Sequence, residues 1–151
     1  PSADRAERAR RDPAVGALGA AGVTLILLAD AGAIGSLPTA IAVPALIVAG
    51  AASRSVPVLG ARSVRHGEAG LGGWWRDCVR SIDVVVCLAT VGLIALASRN
   101  VVHVAAAGAG LGAGMVILLL LERRFGVVTG DSHGAAIEGA FLVALIVEVA
   151  A

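Results

Sequence analysis

The sequence has no lysine, only two cysteines and little charge of either sign: 15% of its 151 residues are charged, against about 25% in a typical soluble domain. Two cysteines are too few for a secreted disulfide scaffold. Low charge combined with a hydrophobic content of 58% excludes a disordered chain, which needs the opposite balance. The formal net charge of +1 points to no polyanionic partner, and no nucleic acid is expected to bind. All 12 basic residues are arginine; that suits recognition of planar oxyanions, and a GC-rich genome gives the same bias. What remains is a mean hydropathy of +0.89 with long windows free of charge, so the expected solvent is the lipid bilayer.

A spanning helix needs about 20 mostly apolar residues, and five runs qualify or come close. The first, Ala14 to Leu37, is interrupted only by Asp30, which at about 1.5 Å per residue falls roughly 24 Å along and is expected near the far headgroups. Pro38 breaks the helix. The second run extends from Thr39 to about Ser53, with Pro44 a candidate kink. The third covers Ser81 to Ser98, the fourth Val101 to Leu121, and the fifth Ala135 to the end of the chain. The fold class read from this pattern is an all-α polytopic bundle of about five transmembrane helices, forming a single domain over residues 1–151.

Arginines set its orientation through the positive-inside bias. Eleven lie before the first run, between the second and third, or between the fourth and fifth, and Arg99 alone lies on the other side. The N-terminus and a basic face are therefore expected in the cytoplasm, in a multi-pass protein of the cell membrane. The first 13 residues are charged and lack an apolar core, so they are not a secretory signal. Small residues favour close helix packing in lipid, and the pairs Gly108/Gly112 and Gly110/Gly114, with a weaker Gly16/Ala20, read as seams within one bundle. A homodimer contact is the alternative.

The ionisable groups collect on the arginine-rich side, and the segment from Arg123 to Glu138 is the most informative. Asp131 falls where the fifth helix is expected to begin, at an N-cap position, beside amides that favour anions. Seven residues separate it from Glu138, about two turns, which puts both carboxylates on one face. Carboxylates near phosphate-binding amides and arginines suit Mg²⁺ held between protein and phosphate; equally, Asp131 is a plain helix cap and Glu138 an acid at the membrane edge. Asp12 beside Pro13 has the same two readings, cap or ligand.

The connector from Arg54 to Arg80 carries five arginines against two acids, which satisfies topology and also suits arginine forks on phosphate. Gly67, Gly70, Gly72 and Gly73 make its middle pliable, and Trp74 and Trp75 read as interfacial anchors. His66, His103 and His133 show no metal-ligand spacing, so zinc is not expected. Cys78 and Cys87, if on one helix, stand about 13 Å apart, too far for a disulfide.

Four ordered motifs carry a family resemblance. Val128-Thr129-Gly130-Asp131 followed by Gly134-Ala135-Ala136-Ile137-Glu138 resembles the Thr-Gly-Asp-x-x-Gly-Ala signature of the cobalamin 5'-phosphate synthases, the adenosylcobinamide-GDP ribazoletransferases. Arg11-Asp12-Pro13-Ala14-Val15-Gly16 is similar to their Arg-Asp-x-x-x-Gly stretch, Ser53-Arg54 to a Ser-Arg pair, and Gly70-Leu71-Gly72 to a Gly-Leu-Gly loop. The resemblance implies a membrane enzyme that joins alpha-ribazole, or its 5'-phosphate, to adenosylcobinamide-GDP and releases GMP with Mg²⁺. It implies Asp131 and Asp12 as catalytic, metal-holding residues. Arg54, Arg65 and Arg11 would neutralise the diphosphate, with Thr129, Gly130 and Glu138 on the substrate side.

The family's acidic Asp-Gly-x-x-Asp-x-x-Asp-Gly motif does not occur in this sequence. Ala14, Val127 and His133 also depart from the usual residues. The chain is therefore expected to be the C-terminal portion of a longer family domain, with a degenerate homologue as the alternative, and to lack full activity alone. Two rival readings are a membrane enzyme of the CDP-alcohol phosphotransferase type and a non-catalytic membrane scaffold.

Overall fold

The computed structural model describes residues 16–67 and 71–151. Among the described residues six helices follow one another: α1 (Ala17–Ser36), α2 (Thr39–Ser63), α3 (Leu71–Cys78), α4 (Ser81–Ala97), α5 (Val101–Phe125) and α6 (Gly130–Ala150). Four of them, α1, α2, α5 and α6, are long and apolar enough to cross a bilayer. The 17 residues of α4 make about 26 Å, slightly short of a hydrocarbon core of about 30 Å. The architecture is the all-α membrane bundle that the apolar runs imply.

At its centre α2, α5 and α6 pack against one another; α4 lies along α2 and α5, and α1 lies mainly on α6. Small residues make the central contacts close. A β-carbon on Gly110 would stand 2.8 Å from the backbone oxygen of Ala140, and one on Gly114 would run into Val56. Gly108 and Gly112 have open space at the same position, so of the two overlapping glycine pairs only Gly110/Gly114 is a seam inside the bundle. The Gly16/Ala20 pair is exposed and forms no buried seam among the described residues, contrary to expectation.

Two helix ends differ from the sequence reading. Helix α2 continues ten residues beyond Ser53 to Ser63, through Arg54 and Pro57, because its later half is core: Ala52, Ser53 and Val56 are fully buried. The hydroxyls of Ser53 and Ser55 donate to the carbonyls of Gly50 and Ala51, which makes these polar residues acceptable inside a helix. Arg54 therefore stands on a helix, not in a loop. Helix α6 begins at Gly130 with Thr129 as its N-cap, which places Asp131 inside the first turn. Between α5 and α6 the chain turns at Gly126, whose φ of 82° lies in the left-handed region that glycine adopts without a β-carbon penalty.

Asp30 is also corrected. It is buried within the protein rather than open to its surroundings, with Oδ1 lacking a hydrogen-bond partner among the described residues. At the end of the bundle away from the arginine-rich connectors, His103 Nδ1 lies 2.8 Å from both carboxylate oxygens of Glu148. Their side chains are 2% and 0% exposed, so this contact clamps the start of α5 to the end of α6 where water does not compete for it.

Candidate functional site

At the arginine-rich end, α2, α3 and α6 enclose an open cavity of about 460 Å³. Helix α2 contributes Arg54, Pro57 and Val58 to its wall. Opposite, α6 presents Gly130, His133 and Ile137, and α3 closes a side with Trp74 and Trp75. Of the four glycines expected to make this connector pliable, Gly72 and Gly73 lie instead in a helix, residues 71–78, while Gly70 lies outside the described residues. The tie that seats α3 is visible: the Trp75 indole N–H donates to the Pro57 carbonyl at 3.1 Å. Trp75 is thereby fixed against protein, whereas Trp74 remains 59% exposed.

The cavity brings together a cation and a helix N-terminus. Among the described residues Arg54 has no carboxylate partner; its guanidinium makes one long contact, 3.4 Å, to the Gly50 carbonyl. The first N–H of α6 with an intrahelical acceptor is that of His133, bonded to Thr129 O at 3.1 Å, so the preceding amides of the first turn point out of the helix and favour an anion. Ser132 Oγ accepts from the Thr129 N–H at 3.3 Å and fixes the start of the turn.

The other predicted site residues are distributed differently. Thr129 and Asp131 line a smaller neighbouring depression of about 200 Å³, floored by Leu121, Phe125 and Val127. Asp131 is exposed, and so is Glu138, which faces Asp30 electrostatically. Arg65 already has a partner: its Nε lies 2.9 Å from Glu122 Oε1, which also accepts from the Arg65 backbone N–H. Arg11 and Asp12 lie outside the described residues. Cys78 and Cys87 are free and lie on different helices.

A pair of histidines that sequence spacing does not reveal sits behind the cavity. His66 Nε2 and His133 Nε2 are 3.1 Å apart, with the rings stacked at 5.3 Å between centroids. The pairing follows from two local features. The segment after α2 runs beside the α5–α6 connector in a single parallel bridge between His66 and Val128, with the Val128 N–H donating to Arg65 O at 2.8 Å. Gly60 then leaves room for the other ring: a β-carbon there would come within 2.9 Å of His133 Cε1. Burial pushes the His66 imidazole below the usual histidine value, with nearby Arg76 adding to the effect and the Val64 backbone opposing it. The only sequence signal is that both histidines flank helix ends on the same side of the bundle.

The comparison with protein families follows this geometry. A family model for cobalamin-5-phosphate synthase (CobS) matches residues 2–149. The chain belongs to this family. Nothing matches among curated proteins, and nothing among solved structures. As a cobalamin-5-phosphate synthase family member the chain is a multi-pass membrane protein of cobalamin synthesis, and the Thr129-Gly130-Asp131 turn stands at the start of α6, next to the cavity. Divalent-metal chemistry is expected of such an enzyme from the resemblance. Among the described residues no three His, Cys, Asp or Glu side chains converge, so these residues do not by themselves complete a Mg²⁺ site.

Proposed function

We propose that this cobalamin-5-phosphate synthase family member acts as an adenosylcobinamide-GDP ribazoletransferase, joining alpha-ribazole or its 5'-phosphate to adenosylcobinamide-GDP and releasing GMP at the cytoplasmic membrane interface. The observation that carries the reading is the cavity between α2, α3 and α6, where Arg54 and the N-terminal turn of α6 meet in a chain matched to the family over residues 2–149. Phosphoryl-type transfer is largely a matter of position and charge. Arg54 supplies a fixed cation and the first-turn amides of α6 supply oriented donors, so a phosphate held between them has its negative charge offset without mobile water. The basic connectors keep this end of the bundle on the cytoplasmic side by the positive-inside bias, where the soluble nucleotide product leaves directly.

Asp131, with Asp12, is proposed to hold Mg²⁺. The test is transfer by the complete protein in nanodiscs, with GMP release as the readout. Asp131→Asn is expected to lower the rate at least a hundredfold while the protein still inserts and remains folded. Transfer at the wild-type rate would remove Asp131 from the machinery, and absence of any transfer by folded wild-type protein would overturn the function itself.

A further inference from the structure

We infer that the cavity of α2, α3 and α6 is the seat of the aromatic nucleoside, and that Trp74 and Arg54 bind its base and its 5' side respectively; this rests on the transferase reading above and assigns one of its two substrates to a place. The volume is the first constraint. About 460 Å³ is in the lower half of the range for small-molecule pockets, about 300–1,000 Å³, which accommodates a nucleoside or its monophosphate and not a whole corrinoid.

The walls give the second constraint. Both tryptophans of the chain are on this cavity, and they differ. Trp75 is held by its bond to Pro57, and its ring lies 6.3 Å from that of Trp74 at an interplanar angle of 46°. A membrane anchor needs neither a protein hydrogen bond nor a neighbouring cavity. An exposed indole supported by a fixed one offers a flat face of the kind that binds bases by stacking.

The third constraint separates the two aromatic groups of the proposed reaction. A guanine edge presents N–H donors that seek a carboxylate or amide oxygen. Among the described residues the lining contains no Asp, Glu, Asn or Gln; besides the tryptophans it has Pro57, Val58 and Ile137, with Arg54 and His133 as its polar side chains. Guanine here would find no acceptor side chain among the described residues for its N–H donors and would gain nothing from the wall beyond stacking. A benzimidazole-type base has apolar edges and no such donors, so it fits these walls. Arg54, free of any carboxylate among the described residues, then faces the sugar's 5' oxygen or phosphate together with the amides around Gly130.

The chain reports on this pocket by itself, because every tryptophan it has is there. The experiment is titration of the full protein in nanodiscs with alpha-ribazole, alpha-ribazole 5'-phosphate and GMP, following tryptophan fluorescence, with radiolabelled ligand in equilibrium dialysis as a second readout. Saturable quenching by alpha-ribazole, unaffected by GMP, is expected. Trp74→Ala should weaken ribazole binding about tenfold, with Trp74→Phe restoring most of it, and Arg54→Ala should weaken the 5'-phosphate about tenfold while sparing the free nucleoside. Competition by GMP for the same quenching, or unchanged ribazole binding in Trp74→Ala, would overturn the assignment and leave the transferase reading intact. Dialysis that detects ribazole without quenching would also overturn it. No binding of either substrate by a folded protein would instead count against the transferase reading.

Discussion

The same substitution made two residues apart on α5 should have opposite effects. At Gly110 an added methyl group meets the Ala140 carbonyl oxygen at 2.8 Å and the Ala144 methyl at 3.1 Å. The carbonyl belongs to a helix backbone and cannot rotate away, so α5 and α6 must separate. Overpacking of this type costs about 1–3 kcal/mol, and relief of the glycine's backbone entropy returns about 0.5–1 kcal/mol. Gly110→Ala should therefore destabilise by about 1 kcal/mol at the middle of these ranges, and by no more than about 2.5 kcal/mol. At Gly112 nothing lies within 4 Å, only the favourable entropic part remains, and Gly112→Ala should be neutral or stabilising by up to about 1 kcal/mol. Thermal unfolding in detergent, followed by fluorescence of Trp74 and Trp75, should separate the two midpoints by about 3–7 °C. Equal midpoints, or a higher one for Gly110→Ala, would refute the packing of α5 on α6 through this face. A loss of stability in Gly112→Ala relative to the wild type that shrinks with dilution would show that the open Gly108/Gly112 face joins two copies of the chain.

Glu148→Ala leaves the buried His103 without its acceptor, and by the measured behaviour of broken buried pairs should cost about 3–5 kcal/mol; unfolding midpoints check it, and a replacement of both residues by leucine should recover most of the loss. The depressed pKa of His66 fixes a sign for pH dependence. The unfolded chain takes up the proton first, near the ordinary value of 6.5, so this contribution to stability is complete above that pH and declines as pH falls towards the folded-state value. Midpoints measured between pH 8 and pH 5 should fall, and His66→Phe should flatten the trend. Chelation of divalent cations is expected to stop transfer without altering the midpoint, and continued turnover in excess chelator would exclude a Mg²⁺ requirement.

The bundle was legible in the sequence wherever apolar residues run unbroken: α1, α4 and most of α5 and α6 follow from runs such as Val101 to Leu121. The later half of α2 was not, because Ser53, Arg54, Ser55 and Pro57 read locally as the start of a connector. What keeps them helical is tertiary, namely the burial of Val56, Gly60 and Ala61 against α5 and α6. Glycine spacing marked two seams, and only the partner helix decides which one is used. The turn at Thr129 to Asp131 was visible as a motif, and placing its N-cap two residues too late came from the mixed polar and glycine composition before Ala135. The histidine pair has no local signature, since 67 residues separate its members and helical periodicity reports only on neighbours three or four positions apart.

Helix α2 makes its main contacts with α5 and α6, which are synthesised later. A ribosome delivering this chain thus releases α2 into the lipid with α3 and α4 close behind it, but well before α5 and α6, its main partners, exist. Assembly has to run backwards along the sequence, the newest helices capturing the oldest. Any factor that retains α2 until α6 emerges would govern how much of the protein reaches its working form.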